Sequence, residues 1–218
     1  MITVHYLNDS RAHRLLWLLE EMGLSYEIEL YRRGPDLLAP PELKAIHPLG
    51  KSPVIVDDGV VLAESGAIFA YLLGRHGSAD LVRDAASPDW PAFLYFMHSA
   101  EGSAMPLLVN KLIFGELRPR SPWIVRPIAG AIGDRLSVML VDTTLVALMD
   151  YWEAVLAASG WFAGAFSAAD IMMSFPVQAA AKRAGAKTGR PLLADWLGRI
   201  GTRPAYQRAL ERGDFKLI

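Results

Sequence analysis

The sequence predicts a small α/β domain followed by an all-helical one. Two observations carry this. Strand-like segments are confined to the first 63 residues, where they alternate with helical ones in the order β-α-β-α-β-β-α, and from Pro88 onward apolar residues recur only at helical spacing.

Ile2 to Tyr6 is β-branched and aromatic, as a strand requires. Leu15, Leu16, Leu18, Leu19 and Met22 then repeat at helical spacing until Gly23 permits a C-terminal turn, and Tyr26 to Tyr31 reads as a second strand. A β-α-β opening makes parallel strands joined by a crossover helix. Pro40-Pro41 starts a short helix, "HPLGKS" is a loop, and "PVIV", "DDG", "VVLA" read as strand, turn and strand. Glu64 to Arg75 is helical.

The helical half is expected at 88–115, 123–158, 168–184, 190–200 and 204–212. Val141, Leu145, Leu148, Trp152 and Val155 form an apolar face in the second of these. Prolines 119, 122 and 127 rule out one straight helix through "FGELRPRSPWIVRPIAG", which is either a cover or a helix break. The expected domains are 1–78 and 87–218, with a linker at 79–86.

Composition narrows the function classes. With 218 residues, 52% hydrophobic, the chain can bury a sizeable core. Its 22 basic and 23 acidic residues leave a net charge of -1, so no long-range field draws in nucleic acid or anionic lipid. It has no cysteine, which removes disulfides, thiolate metal sites and thiol nucleophiles together. The longest uncharged stretch, 154–169, is interrupted by glycines and is shorter than the ~20 apolar residues of a membrane span. The expected location is the cytoplasm.

Three short segments are candidates for chemistry. Ser10 directly precedes the first helix, where it can cap the helix or present its hydroxyl to a ligand. Pro53 opens a strand and cannot donate to the ladder. The bond before it is either trans, at an ordinary strand start, or cis, with the Ser52 backbone open to an extended ligand. Glu64-Ser65 begins the third helix, where Ser65 and the unpaired N–H groups can cap the helix or receive a carboxylate.

Together these segments resemble the cytosolic glutathione transferases over essentially the whole chain. "NDSRAHR" is similar to the loop of the serine-type classes, "HPLGKSPVI" to the cis-proline loop, and "LAESGAI" to the Glu-Ser pair that holds the γ-glutamyl end of glutathione. "FSAAD" is similar to the family's capping motif, and "HSAEGSAMP" to a segment of a bacterial and fungal subgroup. The capping motif is structural in its own right: Ser167 caps the helix while Asp170 reaches back to the Ser167 amide.

The resemblance implies a thioredoxin-like N-terminal domain and a helical-bundle C-terminal one. It implies a homodimeric detoxification enzyme with glutathione as co-substrate, no metal, and a small hydrophobic electrophile as the other substrate. Ser10 is the implied thiol activator, Tyr6 its rival, and Asn8 a residue that either orients the serine or binds the thiol itself. Glutathione would run from Glu64 and Ser65, past Ser52 and Pro53, to a glycine carboxylate near Lys51 and His47. Glu101 would meet the ligand's ammonium from the neighbouring subunit, and Met97, Met105, Leu108 and Phe114 are candidates for the electrophile pocket. Hydroperoxide reduction at the expense of glutathione is a further activity of this class. The alternative is a catalytically weak glutathione-binding protein of the same fold acting through protein contacts.

Overall fold

In the computed structural model, residues 1–34, 38–77, 79–213 and 215 are described. They form two compact units, Met1–Ser87 with Gly198–Ile218, and Pro88–Leu197.

The first unit is built on a four-stranded sheet in the order β2-β1-β3-β4. Strand β1 is Ile2–Leu7, β2 Tyr26–Tyr31, β3 Val54–Asp57 and β4 Val60–Ala63. β1 runs parallel to β2 and antiparallel to β3, and β4 returns antiparallel to β3. The central strands bury Ile2, Val4, Tyr6, Val54 and Ile55. Helices α1 (His13–Met22), α2 (Leu43–Ile46) and α3 (Ser65–His76) complete the β-α-β-α-β-β-α order.

Leu15, Leu16, Trp17, Leu18 and Leu19 of α1 are all buried, each worth roughly 1.5–3 kcal/mol for an aliphatic side chain. The helix stops at Gly23, at φ +65°, where the Leu24 N–H donates to the Leu19 carbonyl and closes the terminal turn.

Helices α9 (Pro191–Gly201) and α10 (Pro204–Gly213) end the described helical structure. Here the packing departs from the division expected at 79–86, because residues from Gly198 onward belong to the first unit. The cause is a set of contacts that Arg203 and α10 make with α1 and the start of β2. Arg203 pairs with both oxygens of Glu21 at 2.6 and 2.9 Å, Arg208 pairs with Glu20 at 2.7 Å, and Arg212 lies 3.8 Å over the Tyr26 ring. Trp17 meets Tyr206 edge-on at 4.9 Å. The segment 198–213 carries four arginines, Arg199, Arg203, Arg208 and Arg212, but the sequence does not name their partners, which are acids nearly two hundred residues away.

In the second unit, α4 (Trp90–Ser99) continues through a π-helical turn, Ala100–Ala104, into α5 (Met105–Arg120). Helix α6 (Arg126–Ser137) passes through a second such turn, Val138–Asp142, into α7 (Thr143–Ser159). The break expected around the prolines is a short one, between Ser121 and Trp123–Val125, with Pro127 in the first turn of α6. The buried face of α7 is Leu145, Met149, Trp152 and Leu156.

Helix α8 (Ala168–Arg183) starts with the expected capping box at Ser167. Asp170 is fully buried and accepts from Phe162 N–H, Ser167 N–H and Trp196 Nε1–H at 3.0–3.1 Å. Burial raises its carboxyl to about 6, while those donors act in the opposite direction. The motif therefore caps one helix and ties the start of α8 to α9.

His13, in the first turn of α1, is buried between Phe215, stacked at 4.2 Å, and Tyr206, edge-on at 5.5 Å. Burial lowers its pKa to about 3. Between that value and the ordinary ~6.5 the unfolded chain binds a proton that the folded one refuses. Stability should therefore fall as pH drops below about 6.5, by up to ~1.4 kcal/mol per unit from this group. Urea unfolding at pH 7 and pH 5 should show a smaller loss in His13→Phe than in the unaltered chain; equal losses would contradict the assignment.

Candidate functional site

Sheet register puts the three candidate segments at one edge. Leu7 at the end of β1 pairs with Tyr31 at the end of β2, His5 pairs with Val54 at the start of β3, and Val54 pairs with Ala63 at the end of β4. The turn after β1, the loop before β3 and the start of α3 therefore leave the sheet on the same side.

The turn is Asn8-Asp9-Ser10. Asn8 Oδ1 accepts from the Arg33 N–H at 2.8 Å and its Nδ2 donates to Asp9 at 2.9 Å, so Asn8 fastens the turn to the end of β2. Asp9 lies at φ +51°, a left-handed conformation that Asp tolerates. Ser10 is buried and its Oγ accepts from the Ala12 N–H at 3.2 Å. That is the one hydrogen bond its hydroxyl makes among the described residues, and it uses a lone pair. The hydroxyl proton remains available to an acceptor brought by a ligand. Ser10 is a cap and a potential donor at once, because a hydroxyl both accepts and donates.

Tyr6 points elsewhere. Its ring is fully buried, and its hydroxyl lies 3.2 Å from where a Cβ on Gly213 of α10 would stand. The glycine leaves room for the phenol.

The Ser52-Pro53 bond is cis and Pro53 is buried. Ser52 Oγ donates to the His5 carbonyl at 2.9 Å and accepts from the Leu7 N–H at 3.0 Å. The side chain thus bridges two backbone groups of β1, while among the described residues the Ser52 backbone N–H and C=O have no partner. His47 is half-buried, its carbonyl accepts from the Gly50 N–H at 2.8 Å, and Lys51 is exposed. Gly50 lies at φ +56° with Lys44 Cγ 2.7 Å from its absent Cβ, so that turn needs glycine.

Glu64 is exposed and lies at φ +73°, ψ +120°, outside the regions an L-residue ordinarily occupies. Such strain is held by surrounding structure and gathers at functional sites. The Ile68 N–H reaches the Glu64 carbonyl at 2.9 Å, and the N–H groups of the first turn of α3 have no intrahelical acceptor. Ser65 is buried, and its hydroxyl has no partner among the described residues.

Arg11 is a residue that the sequence analysis did not single out. Burial lowers its guanidinium below the usual arginine range, and the Glu64 carboxylate opposes that shift. A cation next to Ser10 in the chain is therefore within electrostatic reach of Glu64 at the start of α3. An arginine directly after a loop serine was the available signal, but only the fold brings Glu64 to it.

Glu101 belongs to the second unit, half-buried in the π-helical turn. Met97, Met105 and Leu108 are buried, so these three pocket candidates are core residues. Phe114 instead borders a 220 Å³ cavity of the second unit. Among the described residues no three His, Asp or Glu side chains gather where a metal ion could be held. Among the described residues no helix is long and apolar enough to cross a membrane.

A thioredoxin-like sheet with these three segments at one edge, in a chain that continues into an all-helical unit, defines a class that comparison with known proteins identifies. Residues 1–74 match the Glutathione S-transferase, N-terminal domain. The chain is 35% identical to Glutathione S-transferase 1 of Saccharomyces cerevisiae, covering 97% of this chain and 95% of the relative. It is 32% identical to Glutathione S-transferase 3 of Schizosaccharomyces pombe, covering 97% and 88%. Among solved structures, a glutathione S-transferase from Actinobacillus pleuropneumoniae superposes with TM-score 0.80 at 30% identity, covering 100% and 94%. The chain belongs to the glutathione S-transferase family.

The geometry around Ser52 yields a direct test. In Ser52→Ala, Leu7 N–H and His5 C=O lose their partner, at a cost of about 1–3 kcal/mol. Denaturant unfolding should show that loss; an unchanged midpoint would mean that the bridge contributes nothing.

Proposed function

We propose that this transferase binds glutathione along the sheet edge, activates its thiol through Ser10 and conjugates it to small hydrophobic electrophiles. The observation that carries this reading is the Ser10 hydroxyl proton, uncommitted among the described residues, at a turn held by Asn8 and beside the start of α1.

A thiol of pKa ~8.5 is only a few per cent thiolate at pH 7, and the thiolate is the nucleophile. Lowering that pKa by about 2 units takes ~2.7 kcal/mol of preferential stabilisation of the anion. A hydrogen bond to a charged acceptor supplies ~1.5–3 kcal/mol and a helix N-terminus ~0.3–1. Ser10 and α1 together suffice, and Arg11 adds a positive charge close by. The thiol proton passes to solvent. The sulfur lone pair then forms the bond to the electrophilic carbon, which releases its leaving group or shifts its π electrons. Burial of Tyr6 against Gly213 supports Ser10 over the tyrosine.

In this reading the γ-glutamyl carboxylate meets Ser65 and the open N–H groups of α3, while the ammonium faces Glu64. The peptide pairs with the Ser52 backbone beside Pro53, and the glycine carboxylate lies near Lys51 and His47, where a flexible point charge serves it. Glu101 of a second subunit completes the ammonium site. The enzyme works as a homodimer in the cytoplasm, in detoxification and without a metal, with domains 1–78 and 87–218 in chain order and the segment from Gly198 packed with the first.

Two substitutions separate chemistry from binding. Ser10→Ala should lower the conjugation rate at least about tenfold while glutathione affinity stays within a few fold, as for loss of a bond to the reacting anion. A rate unchanged by Ser10→Ala but abolished by Tyr6→Phe would transfer the role to Tyr6. Ser65→Ala should chiefly weaken glutathione binding by calorimetry; intact affinity would refute the γ-glutamyl placement.

A further inference from the structure

The second unit holds a polar cluster that the proposed reaction does not use. Lys111 Nζ of α5 donates to Ser137 Oγ of α6 at 2.9 Å and to Asp142 Oδ1 at 2.6 Å, and Ser137 Oγ donates to the same carboxylate oxygen at 3.1 Å. Ser137 is buried, and Lys111 and Asp142 are half-buried.

The π-helical turn makes this cluster. Five residues along an α-helix leave two side chains ~140° apart, so Ser137 and Asp142 would not meet on one. The turn Val138–Asp142 has i→i+5 geometry, which brings them to the same side. Such turns occur frequently at functional sites.

The cluster faces the 220 Å³ cavity that Phe114 borders. Phe114 and Val138 give it apolar walls, while Gly115 and Gly133 present bare backbone. A Cβ on Gly133 would collide with the Phe114 carbonyl oxygen, so that glycine sets the approach of α6 to α5. A Cβ on Gly115 would meet nothing within 4 Å, so the space beside it is open.

We propose that this cavity binds a neutral single-ring phenol, its hydroxyl seated on Lys111 and Asp142. Size selects one ring, since an apolar cavity of ~150 Å³ holds benzene and drug-sized ligands take ~300 Å³ or more. Hydrogen bonding selects the hydroxyl. The ammonium of Lys111 has three protons and uses two of them within the cluster, and Asp142 Oδ2 accepts nothing among the described residues. A hydroxyl accepts from the one and donates to the other. Charge selects a neutral ligand: Lys111 is balanced by Asp142, and at the rim Asp134 lies 3.6 Å from Arg118. An aromatic carboxylate would lie against Asp142, and an aromatic ammonium against Lys111. A phenol, with a pKa near ~10, stays neutral at pH 7. The inference stands apart from the glutathione reading, because none of these residues belongs to the sheet edge.

Fluorine NMR of the full chain, titrated with para-fluorophenol, para-fluorotoluene and para-fluorobenzoate, tests it. The phenol should bind saturably and at least about tenfold more tightly than either of the others, as expected when a hydroxyl paired with two charged groups is removed or replaced by a carboxylate. Gly115→Leu, whose side chain occupies the cavity, should abolish that binding with unchanged far-ultraviolet circular dichroism. Asp142→Asn, which removes the negative charge and keeps Lys111, should reverse the order of phenol and benzoate, and this readout does not depend on whether Gly115→Leu folds. Binding that survives Gly115→Leu, or phenol that competes with the electrophile in conjugation, would place the ligand elsewhere and overturn the proposal. Equal affinity for the toluene, or no saturable binding below about 10 mM, would overturn it too and leave the cluster as a brace between α5 and α6.

Discussion

The Ser52 hydroxyl is the constraint on which the arrangement of the site turns. It donates to one carbonyl of β1 and accepts from an N–H two residues further on, so the loop before Pro53 is held beside the strand that delivers Ser10. Without that bridge the register of β1, β3 and β4 would still gather three segments at one edge. The Ser52 backbone groups would not be held facing outward beside the turn. A side chain whose own hydrogen bonds are satisfied by the scaffold leaves the neighbouring main chain to the ligand.

The same division of labour recurs around the edge. Asn8 spends its amide on Arg33 and Asp9, Gly50 shapes the loop that leads to Lys51, and Glu64 takes an unfavourable backbone conformation at the start of α3. Asn8 and Gly50 are structural residues close to ones proposed to meet ligand, while Glu64 is itself proposed to face the ammonium. The first unit also depends on the last helix, since α10 clamps α1 through Arg203, Arg208 and Arg212 and accommodates Tyr6 at Gly213.

Much of this was legible in the chain. The strand and helix order follows from periodicity, and Gly23 and Ser167 mark helix ends by their capping chemistry. The site segments were visible as a serine before a helix, a strand-initial proline and a Glu-Ser pair. Three features were not legible, for physical reasons. The ion pairs that Arg203 and α10 make with Glu21 and Glu20 join residues far apart in sequence, so the arginines of 198–213 did not name their partners. Arg11 resembles any helix-start arginine until the fold brings Glu64 near it. Methionines and leucines at helical spacing fit a pocket or a core equally well, and burial places Met97, Met105 and Leu108 in the core.

The central claim is that the site stabilises a thiolate, and the most direct test is an ultraviolet difference titration of glutathione bound to the unaltered protein across pH. The account predicts thiolate absorbance appearing about 2 pH units below the free thiol's ~8.5. Glutathione that binds but titrates like the free thiol would contradict it and point to a carrier of the same fold.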